Sequence, residues 1–406
     1  MSAPISPSLP RSPQISGDRK DELFAFDGVD ALWQSWRDGL TPDASLQVSE
    51  WADRHRFLSP RASAEPGRYR TGRTPYMRAI MDALSPSSPA YAWGATGHEF
   101  ITGIAAELFP DEIPAFLRTP QAVEIMTPIG REPDRDKHTG DPHDSDLNPM
   151  HYVLLSDDGA VAGVLPLREL PITLDEYDAK LRAGGSSQYK AGYLPYAIVV
   201  GWQQLAKDFA YWQASSIGAK TALDPADRAW FDQDRQHREA LILRDLGYWS
   251  HFPGDASMPL HTSQHFYGWG PYPNPQGYAT GDTMELFVKG TFVRRNIKRD
   301  VVKSAVPPYD ACACSIWDRA YKLILNSNKL VVPMYELDKK GAFKAAAPEA
   351  IAMVSSQLSL GAAAVRDMVI DAWKASADME VGDPVVSMRD ILSGKHILRR
   401  DDFHYD

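Results

Sequence analysis

Gly247-Tyr248-Trp249-Ser250-His251-Phe252-Pro253-Gly254-Asp255-Ala256-Ser257-Met258-Pro259-Leu260-His261 gathers three strong metal-ligand side chains, His251, Asp255 and His261, at spacings of four and six. On a helix the first two lie one above the other on one face. Pro259 takes the chain out of helix, which lets His261 turn back toward the same point. Two imidazoles and a carboxylate form a donor set that zinc accepts. Such a trio also arises by chance, so the reading depends on ligands from elsewhere in the chain.

Working outward, Asp224 as cap and Pro225 in the first turn open a helix that runs through Ala240-Leu241-Ile242-Leu243 toward His251. Before it, Ile198, Trp202, Leu205, Phe209 and Trp212 keep helical register over about 194–214. Residues 93–109 also read as helix, with Ile101, Ile104, Ala105 and Leu108 on one face and Pro110 as the stop. Residues 128–152 are polar and irregular, and hold Pro133-Asp134-Arg135, Lys137 and Pro149-Met150-His151-Tyr152. Beyond His261, an aromatic loop rich in Gly and Pro runs from His265 to Tyr278. Its Phe266, Tyr267, Trp269 and Tyr272 suit loop packing and a substrate rim equally. His138, His143 and His265 read as loop residues without a metal. Helical patterns return at about 283–303, 309–326 and 348–376, and no segment reads as sheet. The fold class expected is mainly α, a compact helical bundle with irregular loops.

The chain has 406 residues, 44% apolar and 24% charged, with a net charge of −10. No apolar run approaches the roughly 18 residues that cross a bilayer, so no integral membrane association is expected. Residues 1–90 hold 11 basic and 11 acidic side chains, so the acidic excess falls on residues 91–406. An acidic body does not attract a polyanion by its field alone, and local cations have to supply positive charge. The two cysteines, Cys312 and Cys314, fall on a stretch read as helix, where a disulfide between them is not expected.

Residues 1–26, rich in Ser and Pro, read as a disordered leader. In the segment 27–89, Ser49-Glu50-Trp51-Ala52-Asp53, Ala64-Glu65-Pro66-Gly67-Arg68-Tyr69, Thr74-Pro75-Tyr76 and Arg78-Ala79-Ile80-Met81-Asp82 resemble the start of phage terminase large subunits. No Gly-rich loop ending in Gly-Lys-Ser/Thr follows, so no packaging ATPase is expected. Ser85-Pro86-Ser87-Ser88-Pro89 marks a boundary. Ala90-Tyr91-Ala92 has the form of a signal-peptidase site, but no apolar stretch of about seven to fifteen residues precedes it.

Four words, Trp93-Gly-x-x-Gly-His98, Pro133-Asp134-Arg135, Pro149-x-His151-Tyr152 and His251-x3-Asp255-x3-Pro259-Leu260-His261, resemble the superfamily of zinc-dependent single-strand nucleases and bacterial phospholipases C. Gln188-Tyr189-Lys190-Ala191-Gly192-Tyr193-Leu194-Pro195-Tyr196 is similar to the bacterial nuclease branch. The resemblance implies a helical domain over 93–380 around a metal cleft, then a tail at 381–406, with up to three zinc ions. Asp134, His151, His251 and Asp255 would hold the first ion. His98, Asp255 and the amino and carbonyl groups of Trp93 would hold the second, and His261 with two later residues the third. It further implies Asp134 orienting water, Lys137 neutralising charge at phosphorus and Tyr152 stacking on a base. Family members are secreted or periplasmic.

Two positions depart from the pattern. The later His and carboxylate positions are Glu285 and Lys289 here; Glu285 can still ligate zinc, whereas the Lys289 ammonium repels a cation. Trp93 is internal, and a peptide nitrogen has no lone pair for a metal until the chain is cut after Ala92. The first site alone is complete in the sequence. The function expected is a zinc-dependent phosphodiesterase, a nuclease cutting single-stranded DNA or RNA to 5′-phosphate products with a metal-bound hydroxide. The alternatives are a lipid phosphodiesterase of the phospholipase C kind, or an impaired fusion relative that keeps one zinc site.

Overall fold

The computed structural model describes residues 93–281 and 287–403, with the short pieces 52–54, 57–58, 67–68 and residue 70. The chain divides into two compact units, Met1–Ser88 and Pro89–Asp406. In the first, Phe57–Leu58 pairs antiparallel with Gly67–Arg68; the leader readings above otherwise lie outside the described residues. All that follows concerns the second unit.

Apolar stripes at helical spacing become helices here because each finds another to bury against. Helix α1 (Gly94–Glu107) buries Ile101, Ile104 and Ala105 completely and stops before Pro110. Helix α2 (Pro120–Ile129) packs on it and starts at Thr119, whose hydroxyl accepts from the Ala122 N–H at 3.1 Å. A single turn, α3 (Glu132–Arg135), follows.

Helices α4 (Leu194–Thr221) and α5 (Pro225–Trp249) lie side by side. The Asp224 carboxylate caps α5 by accepting from the Ala226 N–H at 2.8 Å, and Pro225 takes the first position. Helix α4 runs well past the expected end near 214. Its last turns bury Ala214 and Gly218, and Gly218 lets the Phe231 ring of α5 lie directly on the backbone. One indole ties the pair together and another ties it to a later helix. Trp249 Nε1 donates to Ile198 O at 2.9 Å, and Trp202 Nε1 to Met368 O at 2.8 Å.

Helix α6 (His251–Ala256) is separate from α5, with Ser250 at the joint. The Ser250 and Thr102 hydroxyls lie 2.6 Å apart and fix that joint to α1. Helix α7 (Ile316–Asn328) and the long α8 (Pro348–Ser376) complete the frame. α8 lies against α1, α4 and α6. Its Gly361 makes the approach possible, since a Cβ there would stand 2.7 Å from Ser257 Oγ and 2.9 Å from Ile101 Cδ1.

Several expectations need correction. The helix expected over 283–303 is broken into a wide turn at Phe287–Phe292 and two short helices, Val293–Asn296 and Arg299–Ser304. Ile297 and Lys298 between them are extended, which carries the Ile297 side chain inward. Residues 309–315 are not helical, because α7 begins only behind Ser315, whose hydroxyl forms a capping box with Asp318. Cys312 and Cys314 therefore sit off the helix, where side chains two apart can point the same way, and a disulfide joins them. The described part of the segment after 380 packs on the helices. Glu380–Val381 pairs with Val386–Ser387, and Val381, Met388, Ile391 and Leu398 form a second small core with Ala210, Ala214 and Phe231. Among the described residues, strand is confined to such two-residue pairs.

Candidate metal centre

Five side chains named from the sequence meet at one point, brought there by α1, α3, the turn Asn148–His151 and α6. All five are buried. Asp255 is the hub. Its Oδ2 lies 2.9 Å from His151 Nδ1 and 3.2 Å from His251 Nε2, and its Oδ1 lies 3.5 Å from His98 Nε2. Asp134 closes the opposite side. Its Oδ1 is 3.6 Å from His251 Nε2 and 3.7 Å from His151 Nδ1, and its Oδ2 is 3.9 Å from His98 Nε2.

Two sets of ligand atoms, His98/His251/Asp255 and Asp134/His151/His251, each fall within 4.8 Å of one another. The α6 spacing works as expected, with His251 and Asp255 on one face. The peptide nitrogen of Trp93 lies 3.4 Å from His98 Nε2, and its ring is pinned by Nε1 donating to Gly254 O at 3.0 Å.

Backbone carbonyls orient two of the rings. Gly130 O accepts from His251 Nδ1 at 2.8 Å, so in the neutral ring the lone pair sits on Nε2, facing the carboxylates. His151 O accepts from His261 Nδ1 at 2.6 Å, while the same nitrogen stands 3.7 Å from Asp255 Oδ1, at the margin of the cluster. His98 stacks on His251 with centroids 3.7 Å apart. The electrostatics follow from burying carboxylates among imidazoles. Burial pushes the Asp255 carboxyl up to about 6, against the pull of His251. Burial holds His151 well below its ordinary value, and Lys137 and the other histidines add to the fall. Burial also opposes the charge on His251, but the Asp255 and Asp134 carboxylates outweigh it and raise that ring.

The donor set fits a divalent cation. Asp134 Oδ2 and Asp255 Oδ1 are buried carboxylate oxygens with no hydrogen-bond partner among the described residues, and such an oxygen is costly unless a cation or donor meets it. Mixed imidazole and carboxylate ligands suit zinc.

No protein-family model matches the chain. No curated protein and no solved structure matches it either.

Around the cluster, Lys137 Nζ donates to Asp134 Oδ1 at 2.7 Å, which holds that carboxylate in place. Tyr152 is half-buried. Its hydroxyl donates to Tyr189 O at 3.2 Å, and its ring is 5.4 Å from Phe266, which in turn meets His261 edge-on at 4.6 Å. Phe266 and Trp269 are buried loop packing, whereas Tyr267 and Tyr272 are exposed. His265 stays out of the cluster, stacked on Trp269 at 3.8 Å and reaching Asp157 Oδ1 at 2.9 Å. Glu285 lies outside the described residues, as does the side chain of Lys289.

Two residues near Asp134 had no site role in the sequence expectations: Arg131, which was not named, and Arg135, named only within Pro133-Asp134-Arg135. Arg131, just before α3, and Arg135, at its end, flank Asp134, and with Ala95 they line a cavity of about 320 Å³ against the cluster. Arg135 pairs with Glu132 at 2.9 Å, not with Asp134. The signal was available as two arginines four apart around the ligand. No helix among the described residues is long and apolar enough to cross a membrane.

Proposed function

We propose that residues 93–380 form a zinc-dependent phosphodiesterase, a nuclease of the single-strand nuclease and phospholipase C superfamily that cleaves single-stranded DNA or RNA to 5′-phosphate products. The observation that carries the reading is the convergence of His98, Asp134, His151, His251 and Asp255, with two buried carboxylate oxygens that have no hydrogen-bond partner among the described residues. Zinc, when bound, supplies Lewis acidity and brings the pKa of water toward about 7. The remaining work belongs to the chain. Asp134, held on one oxygen by Lys137, presents its other oxygen to orient the attacking water. The Lys137 ammonium, 2.7 Å from that carboxylate, lies close enough to offset charge that gathers on the phosphoryl oxygens. The Gly130 and His151 carbonyls fix the His251 and His261 rings, so little reorganisation is needed when substrate arrives. Tyr152 offers a half-buried aromatic face on which a base can stack.

The full chain is assayed with zinc on single-stranded DNA and RNA, before and after cutting at a protease site inserted between Ala92 and Trp93. Chelator-sensitive hydrolysis leaving 5′-phosphate ends is expected. It should rise after the cut, because the freed Trp93 amine stands beside His98. Hydrolysis of lecithin micelles but not nucleic acid would move the substrate to lipids. No chelator-sensitive turnover in either form would defeat the reading.

A further inference from the structure

The net charge of −10 leaves open how an acidic chain holds a polyanion. Two guanidinium groups at the single turn α3 offer hydrogen-bond donors to an anion. Arg131 precedes its first residue and Arg135 is its last, one on each side of Asp134 in sequence. The cavity of about 320 Å³ is lined by these two guanidinium groups, Ala95 and Asp134, so it opens directly against the cluster.

Neither arginine has all its donors engaged. Arg131 Nη1 donates to Glu99 Oε1 at 2.7 Å. Its Nε is buried with no hydrogen-bond partner among the described residues, and Glu132 Oε1 lies 3.9 Å from it. Arg135 Nη1 donates to Glu132 Oε1 at 2.9 Å, and its side chain is 60% exposed. A guanidinium carries five N–H donors in a planar fork that matches phosphate oxygens. Glu99 and Glu132 hold the forks in position without using them up. Ion pairing to flanking carboxylates keeps a guanidinium oriented before the ligand arrives, which reduces the ordering cost of binding.

We propose that this cavity is an anion subsite for the phosphodiester next to the one being cleaved, with Arg131 and Arg135 as its donors. The inference rests on the phosphodiesterase reading above and deepens it, since it names the substrate as a chain with more than one phosphate. A mononucleotide or a lipid with a single phosphodiester leaves the subsite without a ligand.

The test uses the full chain with zinc and compares (dT)10 with bis(p-nitrophenyl) phosphate, a diester with no neighbouring phosphate. In Arg135→Ala the ratio of kcat/KM for (dT)10 over the small diester is expected to fall about 10-fold, through KM, as for loss of one charge-assisted contact. The salt dependence of (dT)10 binding should weaken by about 0.7 in log–log slope. Arg131→Gln should give the same direction. Arg135 is exposed, so its variant keeps the test valid if Arg131→Gln fails to fold. An unchanged ratio, or equal losses on both substrates, overturns the subsite. Anisotropy of labelled (dT)10 separates the two claims. Arginine-dependent binding without any turnover overturns the phosphodiesterase reading alone, whereas equal binding by the wild type and both variants overturns the subsite.

Discussion

Asp255→Asn is expected to abolish tight zinc binding and to lower hydrolysis of single-stranded DNA by far more than loss of any outer residue. One carboxylate reaches four rings, at 2.9 Å from His151, 3.2 Å from His251, 3.5 Å from His98 and 3.7 Å from His261. Asparagine keeps the shape, but it replaces an anionic oxygen with an NH₂ that points a donor at the cation. Loss of a residue that merely orients a ligand costs about 10–100-fold in metal affinity or activity. A carboxylate that faces four imidazoles should exceed the upper end of that range.

Thermal melts separate this from general damage. Zinc at about 1,000 times its Kd stabilises a folded site by about 4 kcal/mol, so the wild-type chain should melt several degrees higher with zinc than with chelator. The variant should show little difference between the two conditions. An Asp255→Asn chain that keeps zinc content and turnover would remove Asp255 from the centre.

The second large effect is remote from the ligands. Gly192 has φ +75°, and a Cβ there would stand 2.1 Å from Tyr152 O and 2.7 Å from Tyr152 C. Both neighbours are backbone atoms, so no side chain can rotate away. With ψ 163° this backbone lies in a region open almost only to glycine, which costs another residue about 1–3 kcal/mol, and overpacking adds about 1–3 kcal/mol. The backbone in its path is the segment that carries His151. That segment is pinned by Leu194 N donating to Tyr152 O at 3.1 Å, Tyr193 N to Pro149 O at 2.9 Å and Val153 N to His261 O at 2.9 Å. Gly192→Ala should therefore lower both Tm, by roughly 6–12 °C, and zinc affinity, because His151 and the His261 turn move together. A melt within about 2 °C of wild type would show that this crossing is looser than its geometry.

Much of the frame was legible in the sequence because it depends on local chemistry. Asp224 and Pro225 mark the start of α5 by themselves, and four-residue spacing places His251 and Asp255 on one face of α6. The readings that failed depend on partners far along the chain. Helix α4 outruns its stripe of large apolar residues because its last turns pack through Ala214 and Gly218, which carry no conspicuous apolar signal. Residues 309–315 looked helical by pattern, yet Ser315 and Asp318 form a capping box that starts the helix later, leaving Cys312 and Cys314 free of it to pair. In the candidate site the ligand types were legible, while the distances that make them a cluster come from the packing of α1, α3 and α6. Arg131 and Arg135 show the limit most plainly. Their spacing alone does not mark them as cavity walls, which they become only where α3 and Ala95 of α1 line one cavity.

The most direct measurement is anomalous scattering at the zinc absorption edge from crystals of the full chain grown with zinc. At least one ion is expected among Asp134, His151, His251 and Asp255, at about 2.0–2.2 Å from their oxygen and nitrogen atoms. Absence of zinc from that position, with the five side chains turned to different places, would contradict the metal centre and the phosphodiesterase built on it.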